Sequence, residues 1–111
     1  MSQVTTHVLD AAFGTSAVGV AVELDRQVQD GWSEVASGAT GADGRIDALG
    51  PDRLVPGVHR LVFATGDYFE ATHRPAFYPQ VQIAFLVSGS ERIHVPLVLS
   101  PFAYSTSRGE P

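Results

Sequence analysis

Residues 81–99 read VQIAFLVSGSERIHVPLVL, and their period decides the fold. Val81, Ile83, Phe85 and Val87 alternate with Gln82, Ala84 and Leu86, so one face of an extended strand is uniformly large and apolar. Ser88-Gly89-Ser90 interrupts the run, and a second alternation follows from Arg92 to Leu99. Two β-strands are expected, joined as an antiparallel hairpin. In the second, Ile93, Val95, Leu97 and Leu99 face one way, which turns His94, Pro96 and Val98 away from the core.

Outward from this pair the same grammar repeats. Upstream, DYFEATHR (67–74) is the one stretch able to make two helical turns, and Pro75 and Pro79 prevent its continuation. Val58 to Thr65 alternates as a strand. Ala42-Asp43-Gly44 is a tight-turn signal that delivers Arg45 at the head of a short segment ending at Gly50-Pro51. Trp32, Val35 and Ala36 lie on a short strand after the turn at Gln29, Asp30 and Gly31, and a loop runs from Gly38 to Gly44. Val18, Val20, Val22 and Leu24 predict a strand over 18–25. Downstream, Ser105 to Pro111 has no large apolar side chain and reads as a free tail unless a partner surface holds it. Short strands cannot bury their apolar faces singly, so the fold class is all-β, with two sheets packed face to face.

The 111 residues suit one domain spanning 1–111, and 44% hydrophobic against 17% charged residues suits a packed core. With 12 acidic and 7 basic residues the formal charge is −5, and no basic cluster is present to grip a phosphate backbone, so nucleic acid is not an expected partner. All seven basic residues are arginine, which excludes a lysine nucleophile. The absence of cysteine excludes disulfides, thiolate chemistry and sulfur-bound zinc. Met1 to Asp10 already reads as folded sequence, and no apolar run approaches membrane-spanning length. A cytoplasmic protein with no membrane partner is expected.

Any nucleophile is therefore water or a hydroxyl. His94 points away from the core, and His7 shares a face with Thr5 and Leu9, opposite Thr6 and Val8. Leu9 and Val98 lie on these same outer faces, which suggests that a second subunit covers them. Neutral imidazole can take a proton from water, and arginine can hold a carbonyl oxygen that gains charge during attack, so His7, Arg45 and His94 could together support hydrolysis. A strand histidine is more often a surface or hydrogen-bonded structural residue, and spacing alone leaves both readings open. His59 and His73 are read as structural or surface. A zinc site on His7 and His94 lacks a third ligand, because Asp10, three residues after His7, falls on the opposite strand face, so no metal is expected. No Gly-x-Ser-x-Gly elbow accompanies a Ser-His-Asp triad.

Thr6-His7-Val8-Leu9-Asp10, Asp43-Gly44-Arg45, Tyr68-Phe69, Phe77-Tyr78-Pro79, Ile93-His94-Val95-Pro96-Leu97 and Leu99-Ser100-Pro101-Phe102-Ala103-Tyr104-Ser105-Thr106 resemble, in order and over nearly the whole chain, the motifs of 5-hydroxyisourate hydrolases. The resemblance implies a transthyretin-like sandwich of two four-stranded antiparallel sheets with one short helix. It implies a homotetramer with its sites in a channel between dimers. His7, Arg45 and His94 would line that site and open the ring of 5-hydroxyisourate with water, giving a carboxylated ureidoimidazoline in urate degradation, without metal or organic cofactor. The chain departs from the family at its end. Ser107-Arg108-Gly109-Glu110 stands where the hydrolases carry Tyr-Arg-Gly-Ser, so Ser107 replaces a phenol while Arg108 remains as a substrate-binding candidate. The alternative is a transthyretin-like carrier of a small ligand without turnover; such carriers lack the His, Arg and His set.

Overall fold

The computed structural model describes residues 2–110. Met1, first residue of the opening stretch, and Pro111, last of the tail, lie outside them. The chain runs β1 (Val4–Asp10), β2 (Thr15–Ser16), β3 (Ala21–Val28), β4 (Gly31–Ala39), β5 (Arg45–Ile46), β6 (Gly57–Phe63), α1 (Thr65–Ala71), β7 (Val81–Val87), β8 (Ile93–Ser100) and β9 (Ala103–Thr106). Two sheets result, as the alternation requires. One is ordered β4-β3-β6-β7 and is antiparallel throughout. The other is ordered β2-β1-β8-β9, with β5 also paired to β1. This second sheet differs from four antiparallel strands in two ways: β2 and β5, two residues each, share β1, and β1 runs parallel to β8.

The inner faces meet as strand period dictates. Val4, Val8, Val95, Leu97 and Leu99 pack from one sheet against Val22, Leu24, Leu61, Phe63 and Val81 from the other, all buried. Removing each such side chain from water stabilises the fold by about 1.5–3 kcal/mol. Thr6 and Asp10, polar residues on these faces, are bonded where they lie. Thr6 Oγ1 donates to the Val95 carbonyl (2.6 Å), and Asp10 accepts from Tyr68 Oη (2.8 Å) and Arg74 (2.6 Å). His59 is also inside: its ring lies against Phe85, with Nδ1 3.3 Å from the Gly57 carbonyl oxygen. Its Nε2 has no hydrogen-bond partner among the described residues, and His73 is exposed beyond the helix.

Four local expectations are corrected. Residues 81–87 and 92–99 do not form a hairpin: β7 pairs with β6 in one sheet, and β8 lies between β1 and β9 in the other. The link between them crosses from sheet to sheet. It is fastened by the Gln3 side-chain amide, which donates to the carbonyls of Gly89 (2.7 Å) and Glu91 (3.0 Å). Both runs then bury their apolar faces in one core from opposite sides, which a flat hairpin could not achieve.

The strand expected over 18–25 begins only at Ala21. Gly19 takes φ +80° and ends the run, and Val18 is left 53% exposed. The helix expected over 67–74 spans Thr65–Ala71. It closes because Thr72 Oγ1 donates back to the Tyr68 and Phe69 carbonyls and His73 takes φ +57°, before either proline is reached. The tail is held within the chain: β9 pairs with β8, and Gly109 N donates to the His94 carbonyl (2.9 Å).

Candidate active site

The turn before Arg45 admits glycine alone at position 44. Asp43 Oδ1 accepts from Arg45 N (3.0 Å), Gly44 N donates to the Gly41 carbonyl (2.9 Å), and Gly44 takes φ +76°. A Cβ on Gly44 would stand 2.6 Å from the Val8 carbonyl oxygen and 3.2 Å from His7 Cδ2. Without one, the backbone closes on β1, Val8 N donates to the Gly44 carbonyl (2.8 Å), and Arg45 falls directly opposite His7 in the ladder. Residues so paired have Cβ atoms about 5 Å apart on one face.

On the other side of β1, the parallel ladder pairs Thr5 with His94 and His7 with Pro96. His7 and His94 therefore share the outer face two residues apart in register, at about 8 Å between backbones from strand spacing and rise. His7, Arg45 and His94, from three separate stretches of chain, are brought together on one face of the β1 sheet. Arg45 is exposed, and no ion pair engages its guanidinium among the described residues.

His94 is only 5% exposed although it points away from the core, because the tail crosses over it. A Cβ on Gly109 would lie 3.0 Å from His94 Cδ2, so a residue without a side chain is what permits the crossing. Thr5 Oγ1 is hydrogen-bonded to His94 Nδ1 at 2.8 Å. Burial pushes the His94 imidazole below its ordinary pKa, and electrostatic interaction with Arg45 and then His7 pushes it further, against a smaller upward pull from Asp47. The ring is thereby kept neutral at physiological pH, as a proton acceptor must be.

Ser107 and Arg108 lie elsewhere. Both line a groove of about 330 Å³ between β7 and β8, with Ile83, Phe85, Leu86 and Ile93. Arg108 donates to the Glu91 carboxylate (3.2 Å) across an exposed pair of the kind that adds little stability. Arg108 is engaged by Glu91 and by no member of the trio. Among the described residues no three His, Cys, Asp or Glu side chains converge as metal ligands would. Two members of the constellation were not singled out from the sequence, Thr5 and Asp47. Thr5 shares the face of His7 by alternation, but its neighbour on β8 is set by a parallel register that no local pattern carries.

Comparison with known proteins gives the family. The model of the HIUase/Transthyretin family matches residues 4–109. The 5-hydroxyisourate hydrolase of Salmonella dublin is 42% identical over 107 residues, covering 95% of this chain and 79% of that protein. That of Mus musculus is 38% identical over 112 residues, covering 97% and 95%. Among solved structures, Klebsiella pneumoniae 5-hydroxyisourate hydrolase superposes with a TM-score of 0.87 at 34% identity, covering 99% of this chain and 94% of that one. Transthyretin from Sparus aurata superposes with a TM-score of 0.91 at 30% identity, covering 98% and 97%. The backbone is thus shared by a hydrolase and a transthyretin, so the fold alone does not separate them. The chain belongs to the HIUase/Transthyretin family.

Proposed function

We propose that this protein hydrolyses 5-hydroxyisourate, in urate degradation, to 2-oxo-4-hydroxy-4-carboxy-5-ureidoimidazoline. The observation that carries the reading is the convergence of His7, Arg45 and His94 on one outer sheet face, with no ion pair on Arg45 among the described residues. Water attacks the ring carbonyl while His94 takes its proton. Arg45 stabilises the negative charge that develops on the carbonyl oxygen, and removing such a donor typically costs on the order of 10²-fold in rate. The carbon–nitrogen bond then breaks, and the departing nitrogen receives a proton through the imidazole pair, with His7 positioning the water.

The site operates in a homotetramer, with the β1–β8 face of one dimer set against that of another. Val98, Phe102 and Tyr104 are exposed on or beside this face, and Leu86 is 75% exposed on edge strand β7; these are the apolar surfaces a partner copy would cover. In the assembly Arg108, and Ser107 in place of a phenol, contribute to substrate binding at the channel wall.

The carrier reading finds support in the transthyretin superposition, including a sea bream transthyretin solved with thyroxine. An apolar ligand would have to lie against two imidazoles and an exposed guanidinium, which favours turnover over storage.

Freshly generated 5-hydroxyisourate decays spontaneously, and the purified protein is expected to accelerate that decay. His94→Ala and Arg45→Ala should each remove the acceleration by 10²-fold or more. Equal decay with and without the intact protein defeats the enzyme reading, and tight retention of the compound without product would put the carrier in its place.

A further inference from the structure

Thr5 stands directly across the parallel ladder from His94, with Oγ1 2.8 Å from Nδ1. The pairing is not a chance of side-chain length. A β-branched residue on a strand has a stiff χ1, and the register fixes its hydroxyl beside the ring. The Gly109 backbone passes over Cδ2 on another side. An imidazole held at Nδ1 and along its Cδ2 edge has one nitrogen left for chemistry, Nε2.

A threonine hydroxyl can donate or accept, so its distance alone does not choose the tautomer. The chemistry of a base does. An imidazole that takes a proton from water through Nε2 must carry its own proton on Nδ1, and that N–H then needs an acceptor in a site nearly closed to solvent. Thr5 Oγ1 is the acceptor in place. The titratable and charged groups facing the ring are Arg45 on β5, His7 on β1 and Asp47 just beyond β5; among the described residues none of them is hydrogen-bonded to Nδ1.

We propose that Thr5 is a positioning residue for the hydrolytic reaction: by accepting the Nδ1–H of His94 it fixes the ring in the tautomer whose Nε2 lone pair faces the substrate. This rests on the reading of His94 as the proton acceptor. Thr5 touches no reacting atom. Its effect is on the orientation and tautomer of the residue that does, as an orienting carboxylate acts on a catalytic histidine.

Three measurements test it. Nitrogen-15 NMR of the wild-type protein, with His94 assigned by its loss in His94→Asn, should show the Nδ1–H tautomer; an Nε2–H tautomer at His94 overturns the proposal. Thr5→Val keeps the branched shape and removes the hydroxyl. It should lower kcat on the order of 10-fold to 100-fold, as misorientation of a catalytic group does, with KM within about twofold. Thr5→Ser should restore most of the rate. The acid limb of the valine variant's pH–rate profile should move to lower pH, because a protonated ring loses an acceptor. Unchanged kcat in Thr5→Val, or a limb moved to higher pH, overturns the proposal. Should Thr5→Val fail to fold, the wild-type tautomer and the serine variant still decide. Wild-type protein without activity would defeat the hydrolase reading separately, since the NMR experiment reads Thr5 and His94 in its absence.

Discussion

Gly44 governs how close Arg45 comes to His7, and its φ of +76° together with the 2.6 Å approach of any Cβ to the Val8 carbonyl leaves no room for compromise. The obstructing atom is backbone, which cannot rotate away. Gly44→Ala is therefore expected to lower stability by about 1–3 kcal/mol from backbone strain alone, and to reduce kcat further than a loss of folded protein explains. Chemical denaturation paired with activity per folded molecule checks this; a stable variant with full activity would show that the turn does not set the Arg45 position. At this scale the sequence was eloquent about faces and silent about neighbours. Strand period placed His7 and His94 outward and Asp10 inward, as found. It could not place Thr5 against His94, because the parallel β1–β8 register joins residues 89 apart in the chain.

The elements depend on a lock between the end of β1 and the segment after α1. Asp10, buried, accepts from Tyr68 Oη, from Arg74 and from Phe13 N (3.0 Å), and the Arg74 guanidinium lies 3.7 Å from the Phe13 ring centre. Burial works to raise the Asp10 pKa, and the hydrogen bonds from Arg74, Phe13 and Tyr68 outweigh it and hold the carboxyl below its usual value of 3.8. Asp10→Ala strands a cation and a phenol inside, so a loss of about 3 kcal/mol is expected, in the range for breaking one side of a buried pair. The sign with pH follows from the depressed value. The lock's contribution is present above about 3.8 and is lost as pH falls through the folded-state pKa. Denaturation midpoints of wild type and variant should converge in acid, and a constant gap down to pH 2 would contradict it. The same lock explains what was hidden at this level. A helix over 67–74 was read from composition up to Pro75, whereas Arg74 is drawn out of helical geometry toward Asp10 and His73 takes the left-handed turn that allows it. The β7–β8 crossover was hidden likewise, since two good alternations look identical whether their partners are each other or separate sheets.

Over the whole molecule, the two sheet faces that meet solvent are charged differently. The β1–β8 face carries His7, Arg45 and His94, while the outer face of β4-β3-β6-β7 carries Glu23, Asp25 and Glu34, with Arg60 donating to Asp25 Oδ2 (2.8 Å) and lying 4.3 Å from the Trp32 ring centre. Asp25 Oδ1 is buried and has no hydrogen-bond donor among the described residues. A proton on Glu23 supplies one. The hydrogen bond with Asp25 raises the Glu23 pKa first, helped by burial and by Glu34, up to about 7. The folded chain therefore holds a proton between about 4.5 and 7 that the unfolded chain has released, so Glu23 makes stability fall as pH rises through that window and level off above it. His94 acts in the opposite sense, since its depressed pKa makes stability rise with pH up to its ordinary value of 6.5. Glu23→Gln keeps a donor to Asp25 at every pH and removes only the first of these slopes. Thermal midpoints measured at one protein concentration should therefore match between wild type and Glu23→Gln near pH 5 and separate by pH 8, with the variant the more stable. Parallel curves from pH 5 to 8 would mean that Glu23 is already ionised throughout and that Asp25 Oδ1 finds its donor elsewhere.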